Sequence, residues 1–170
     1  MEKKPKNLDM RLMRIMVIII VYEYELNNVL INAKKIFEED KFHDLFDYSK
    51  LKKENQNKIF NKQIKIISII EKNYLLLKSM IIKYIRSDWS WERMSPLVRS
   101  ILLCASVELW KLDIGIVANE YIEITKDFIP DNESYKFVNK IINEIGKEYK
   151  AFKEHKANKN FIERIDKKEK

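Results

Sequence analysis

The chain has 170 residues, 46% hydrophobic and 35% charged, with a formal net charge of +7 at pH 7. That length suits one domain with a real core, and that apolar content excludes general disorder. Two glycines and three prolines argue against a sheet fold, and a single cysteine, Cys104, excludes an intramolecular disulfide and fits a reducing compartment.

The excess charge lies at the two ends. Residues 1–14 carry five basic and two acidic side chains, residues 147–170 carry nine and five, and 19 of each lie between. Basic ends on a neutral body suit contact with a polyanion, whose phosphates release counterions on binding; the plain alternative is a pair of solvated tails.

Residues 1–7 read as a flexible basic lead-in. From Leu8 to Ala33 the spacing predicts a helix, with Leu12, Ile15, Met16, Ile19, Leu26 and Leu30 three or four apart. Its run IMVIIIV is too short to span a bilayer, which takes roughly 20 apolar residues. No small-residue cleavage site follows it, so it reads as a buried helix of a cytoplasmic protein. Arg11 and Arg14, one turn apart, can share a face. A shorter helix fits 34–47, anchored by Phe37, Phe42, Leu45 and Phe46. SKLKKENQNK reads as a loop or a helix start, and a long helix follows from Ile59 to Arg86. Ser95-Pro96 signals another start, because the hydroxyl can cap and proline fits the first helical position. Gly115 suits the turn after that helix, and the next covers 117–128. IPDN then turns the chain, with Asp131, Asn132 or Ser134 available as a cap. The last helix buries Val138, Ile141, Ile142, Ile145 and Tyr149, and the tail from Lys153 frays. The result is an all-α chain of six or seven helices, with Trp89, Trp91 and Trp110 packing around helix corners.

Catalytic and metal chemistry find little support. Residues three before His43 and His155 are Asp40 and Phe152, so no Glu-x-x-His pair exists for a di-metal bundle. Gly115 and Gly146 are isolated, which rules out a glycine-rich phosphate loop. Glu120 and Glu123 read as solvated or capping groups. No cofactor and no enzyme activity are expected.

Three blocks carry a family likeness: DWSWERMSPLVRSILLCASVEL, then IVANEYIEITKDF, then ESYKFVNKIINEI. In order and spacing they resemble the bacterial transcription antitermination factor family NusB, as does the first helix with Arg11, Arg14 and VYEYEL. The resemblance covers residues 8–150, with 34–60 poorly matched, and leaves 151–170 as a charged tail. It implies a single compact domain of two packed helical bundles. It also implies binding of single-stranded boxA RNA in nascent ribosomal RNA leaders, alongside the ribosomal protein NusE. That pair acts within the elongation complex of RNA polymerase. No cofactor, catalysis or membrane is implied.

By the same resemblance, Arg11 and Arg14 fall where the family's basic helix meets RNA, and Tyr22 on that helix's tyrosine. Lys136 and Phe137 fall on the Lys-Phe step that faces RNA, with Glu133 in place of an acidic residue before it. Leu12 and Met13 interrupt the usual arginine-rich start, so Lys3, Lys4 and Lys6 are assigned a share of its role. Ile19 replaces a common glutamine, Leu103 an arginine and Lys140 a glycine.

Unpaired RNA offers base faces that stack on rings and phosphates that attract cations. A Lys-Phe step at a helix start supplies both, and the helix N-terminus adds backbone N–H groups. The helical pattern alone puts Phe137 in the core with Val138 and Ile141; the resemblance shifts the expectation to partial exposure and RNA contact. Tyr22 is open between ring packing and a hydroxyl reaching phosphate. Asn119, Glu120 and Asn139 read as structural, Asn119 as a cap or a partner across to Asn139. The competing reading is a helical protein–protein module that binds no RNA itself.

Overall fold

The computed structural model describes residues 8–38 and 53–166, with side chains over 8–36 and 54–156. Among the described residues six α-helices follow in order: α1 (Leu8–Asn27), α2 (Ala33–Glu38), α3 (Lys53–Lys83), α4 (Pro96–Leu109), α5 (Ile114–Phe128) and α6 (Ser134–Asp166). A 3-10 turn, Trp91–Arg93, stands between α3 and α4. No strand occurs among the described residues. The basic lead-in and the anchors Phe42, Leu45 and Phe46 lie outside them.

α4 is the hub. It packs against α1 and α3 on one side and α5 and α6 on the other, so two helical bundles share it. From Ser100 to Leu109 every side chain is buried, including Ser106, whose hydroxyl donates back to the Leu102 carbonyl at 2.7 Å. A helix buried on every side over these turns belongs at such a centre. The buried side chains form one contiguous cluster, from Met13 on α1 to Tyr149 on α6.

The helix starts follow local chemistry. The Ser95 hydroxyl accepts from the Val98 amide at 3.2 Å, and Pro96 takes the first position of α4. Asp113 caps α5 by accepting from the Gly115 amide at 2.8 Å. α5 therefore begins three residues before the expected 117, and Gly115 lies inside it rather than in the preceding turn. Asn119 is accordingly an exposed residue of the second turn and not a cap. Asn139 finds its partner within its own helix, accepting from Asn143 Nδ2 at 2.7 Å.

Two ends differ from the periodicity. α1 stops at Asn27, not Ala33, because Asn28 turns left-handed at φ 53° and the Val29 amide returns to the Tyr24 carbonyl at 3.1 Å. Asparagine tolerates that conformation better than most residues. α3 starts earlier and ends earlier than expected, at Lys53 and Lys83, and kinks at Asn73 (φ −123°, ψ 19°). There the Asn73 side chain donates to the Ile69 carbonyl at 2.9 Å. A side chain bonded into the ladder in this way is a recognised cause of bending. α6 continues past Lys153 to Asp166.

α1 and α4 run antiparallel, tied at both ends by ion pairs. Arg14 Nε reaches Glu108 Oε2 at 2.6 Å near one end; Arg99 Nε reaches Glu25 Oε2 at 3.1 Å near the other. Tyr74 of α3 adds its hydroxyl to Glu25 at 2.7 Å. Each helix gives an arginine nearer its start and a glutamate nearer its end, so only the antiparallel register pairs both.

Gly146 is buried where α6 crosses the start of α5. A Cβ there would stand 2.6 Å from Ile114 Cγ1 and 2.9 Å from Cδ1. Gly146→Ala should therefore lose about 1–3 kcal/mol to overpacking, against the small gain alanine normally brings a helix. In urea titrations the loss caused by Gly146→Ala should shrink in an Ile114→Ala background, which removes all the clashing atoms; an unchanged midpoint for the single variant would show that Ile114 yields freely.

Candidate nucleic-acid interface

The start of α6 is built by Asp131. Its Oδ1 accepts from the Glu133 amide at 2.8 Å and from the Ser134 amide, and its Oδ2 from the Ser134 hydroxyl at 2.7 Å. The Ser134 amide and hydroxyl and the Glu133 amide hold the Asp131 carboxyl below the usual carboxylate range. The sequence suggested free amides for a phosphate at this helix end. Asp131 already takes two of them, with a negative charge of its own.

One turn further, the three expected residues share a face. Glu133 and Lys136 are exposed and paired at 2.9 Å. The hydrogen bond to Glu133 holds Lys136 above the ordinary lysine range. Phe137 is partly buried: it packs on the core beside Val138 and keeps some surface in water. Its ring meets Trp89 edge-on, with centroids 5.8 Å apart and planes at 61°.

Trp89 comes from the connection between α3 and α4, and sequence reasoning placed it in packing. It is 45% exposed, whereas Trp91, two residues on, is 3% exposed. Trp91 packs edge-on to Tyr74 and lies under Arg99 and Lys78. Trp89 and Phe137 line a cleft of about 670 Å³ with Arg86, Arg93, Lys136 and Lys140. Asp88 and Glu133 also line it, so the net charge of its ionisable lining is positive. No short-range pattern links residues 86–93 with 133–140, so only the fold reveals the pairing.

The first helix divides its cations. Arg11 is partly exposed and pairs with Asp127 at the end of α5. Lys126, beside Asp127, stands 5.0 Å from the Tyr135 ring centroid. Arg11 thus joins the corner where α5 gives way to α6. Arg14 does not. It is 4% exposed, and its guanidinium contacts Glu108 and, at 3.1 Å, Glu120. Burial works against its charge, but the Glu108 carboxylate outweighs that and holds Arg14 more firmly protonated than usual. Arg11 and Arg14 do share the expected face, both reaching carboxylates of α5, but only Arg11 is open to solvent, and Arg14 is an interior brace. Tyr22 is half-buried. Lys3, Lys4 and Lys6 lie outside the described residues.

Other chemistry is sparse among the described residues. No group of three or more His, Cys, Asp or Glu is placed to hold a metal ion. Cys104 is buried, and burial raises its thiol well above the ordinary range, so it behaves as a small core residue. No helix there is long and apolar enough to cross a membrane.

This architecture defines a class: an all-helical domain, two bundles on one shared helix, with a surface cleft lined by two aromatic rings and a net-positive set of ionisable groups. Its relatives narrow the class. The NusB family model matches residues 11–147, and the chain belongs to the NusB family. A "Transcription antitermination protein NusB" of Sulfurimonas denitrificans is 32% identical over 99 residues, which are 55% of this chain and 74% of that protein. One from Fusobacterium nucleatum is 39% identical over 83 residues, 48% of this chain and 53% of its own length. Among solved structures, T. maritima NusB superposes with a TM-score of 0.64 at 26% identity, covering 86% of this chain and 93% of that one.

Proposed function

We propose that this protein is a cytoplasmic transcription antitermination factor that binds single-stranded, boxA-like RNA in nascent ribosomal transcripts. It does so together with the ribosomal protein NusE, within the elongating RNA polymerase complex. The observation that carries this reading is the placement of Lys136 and Phe137, within a NusB-family chain, at the rim of a cleft lined by further cations. A cation and a partly exposed ring one residue apart are what an unpaired strand requires, one for the backbone and one for a base. Arg11, tied to the neighbouring α5–α6 corner, is a second phosphate contact. Lys3, Lys4 and Lys6 extend the basic start that leads into it. Tyr22 and Glu133 complete the set, Tyr22 through its hydroxyl and Glu133 by orienting Lys136.

Titration of a labelled boxA-like oligonucleotide, with and without NusE, tests the reading over a salt series. Affinity should fall steeply from low to moderate salt. Arg11→Ala should reduce the slope of log affinity against log salt by about one. Phe137→Ala should weaken binding by about 1–3 kcal/mol at any one salt concentration. Tight NusE binding with no RNA affinity, alone or in the pair, would favour the protein-only module.

A further inference from the structure

Trp89 stands out among the exposed side chains. A tryptophan needed only for packing is normally well buried, as Trp91 is at 3%. Trp89 instead leaves nearly half its surface in water, on the rim of a cleft whose floor, Ile85, Met94 and Val98, is apolar. The chain around it is braced. Arg86 holds Asp88 through two hydrogen bonds, at 3.0 and 2.9 Å, and Arg93 donates to the Asp88 carbonyl at 3.1 Å. Lys140, across the cleft, has no ion-pair partner among the described residues. A braced indole costs little further ordering when it takes a ligand.

We propose that Trp89 is a second base-stacking platform and that the α3–α4 connection is part of the RNA path. Resting on the RNA-binding reading above, this extends the strand beyond Phe137 by one nucleotide, with Arg93 and Lys140 taking the phosphates on either side. The geometry fixes how the bases lie. Rings that sandwich one base stand about 7 Å apart and parallel, twice the 3.4 Å repeat of stacked bases. Trp89 and Phe137 stand 5.8 Å apart at 61°, so no base fits between them. Each ring offers its own outer surface, and two successive bases splay over the pair. The cleft, about 670 Å³, is within the roughly 300–1,000 Å³ that holds small organic ligands. The positive balance of its lining favours an anionic strand over an acid-free apolar peptide, although tryptophan and arginine also serve at protein interfaces.

The test is an abasic scan. A 12-nucleotide unstructured boxA-like RNA, with one abasic residue moved along it, is titrated against the wild type, Trp89→Phe, Trp89→Leu and Trp110→Leu. Trp110 is equally exposed but lies outside the cleft. Trp89→Leu should lose about 5- to 150-fold in affinity, Trp89→Phe should keep most of it, and Trp110→Leu should match the wild type. At one position the abasic residue should cost the wild type the same factor and cost Trp89→Leu nothing more. Unchanged affinity in Trp89→Leu, or losses that multiply at every position, would overturn the platform while leaving RNA binding intact. Loss of NusE affinity alone would reassign Trp89 to a protein contact. A wild type that binds no RNA would remove both this proposal and the reading beneath it. Circular dichroism on each variant separates lost contact from lost fold, and Trp89→Ala, for which the same loss of affinity is expected, carries the test if the leucine variant unfolds.

Discussion

Glu108→Ala should lower the free energy of unfolding by about 3 kcal/mol, the low end of the 3–5 kcal/mol expected when one partner of a buried ion pair is removed. Glu108 is 8% exposed and Arg14 4%, so water replaces little of the lost carboxylate. Glu120, at 3.1 Å and more exposed, keeps part of the arginine's charge balanced, which sets the low end. Arg14→Ala should cost more, because it leaves Glu108 buried beside Tyr121 with no cation. Removing both groups, as Arg14→Met with Glu108→Leu, should recover much of the loss, since well-packed apolar pairs often match or exceed a buried ion pair. Urea unfolding at neutral pH decides it. A domain of this kind holds roughly 5–15 kcal/mol in all, so the single variants should shift the midpoint plainly. A change below about 1 kcal/mol in Glu108→Ala would mean that water reaches Arg14 readily. The RNA salt slope offers a second reading: per mole of folded protein, it should be the same in Arg14→Met/Glu108→Leu as in the wild type.

Trp91→Ala should lower stability and binding together, whereas Trp89→Ala, two residues away, should lower binding alone. Trp91 fills the space under the 3-10 turn and touches Tyr74, Arg99 and Lys78, so its loss should cost about 3–5 kcal/mol. It also anchors the connection that carries Trp89, so RNA affinity should fall with it. Trp89→Ala should leave the urea midpoint within about 1 kcal/mol of the wild type, because its ring is half in water already. Thermal and urea unfolding of the two variants, set beside RNA titration, would reverse these assignments if Trp89→Ala proved the less stable protein.

Much of the frame is legible in the residues. The apolar spacing of Val138, Ile141, Ile142 and Ile145 marks the inner face of α6, and all four are buried. Ser95-Pro96 marks the start of α4 because capping is a contact between near neighbours. The end of α1 escaped because Leu26 and Leu30 continue the helical spacing past it; the tandem Asn27-Asn28 is the available stop signal. Gly115 misled because glycine suits a turn, yet here an aspartate two residues earlier caps a helix that already contains it. Arg14 misled more deeply. A cation on a basic first turn reads as exposed, and the glutamate that buries it lies 94 residues away. Trp89 and Phe137 are likewise brought together only by the packing of α4 against α6, which no local period encodes.

The Asp131 cap has a consequence for small solutes. Many helix starts attract sulfate, inorganic phosphate or a mononucleotide, because their amides are vacant. At α6 a fixed carboxylate already sits in that seat. Millimolar phosphate or a free nucleotide should therefore compete with the transcript here no better than chloride at equal ionic strength. On the proposed reading, the helix end would discriminate in favour of a polymer, which reaches past the carboxylate to several side chains at once, over the abundant monomeric anions of a metabolising cell.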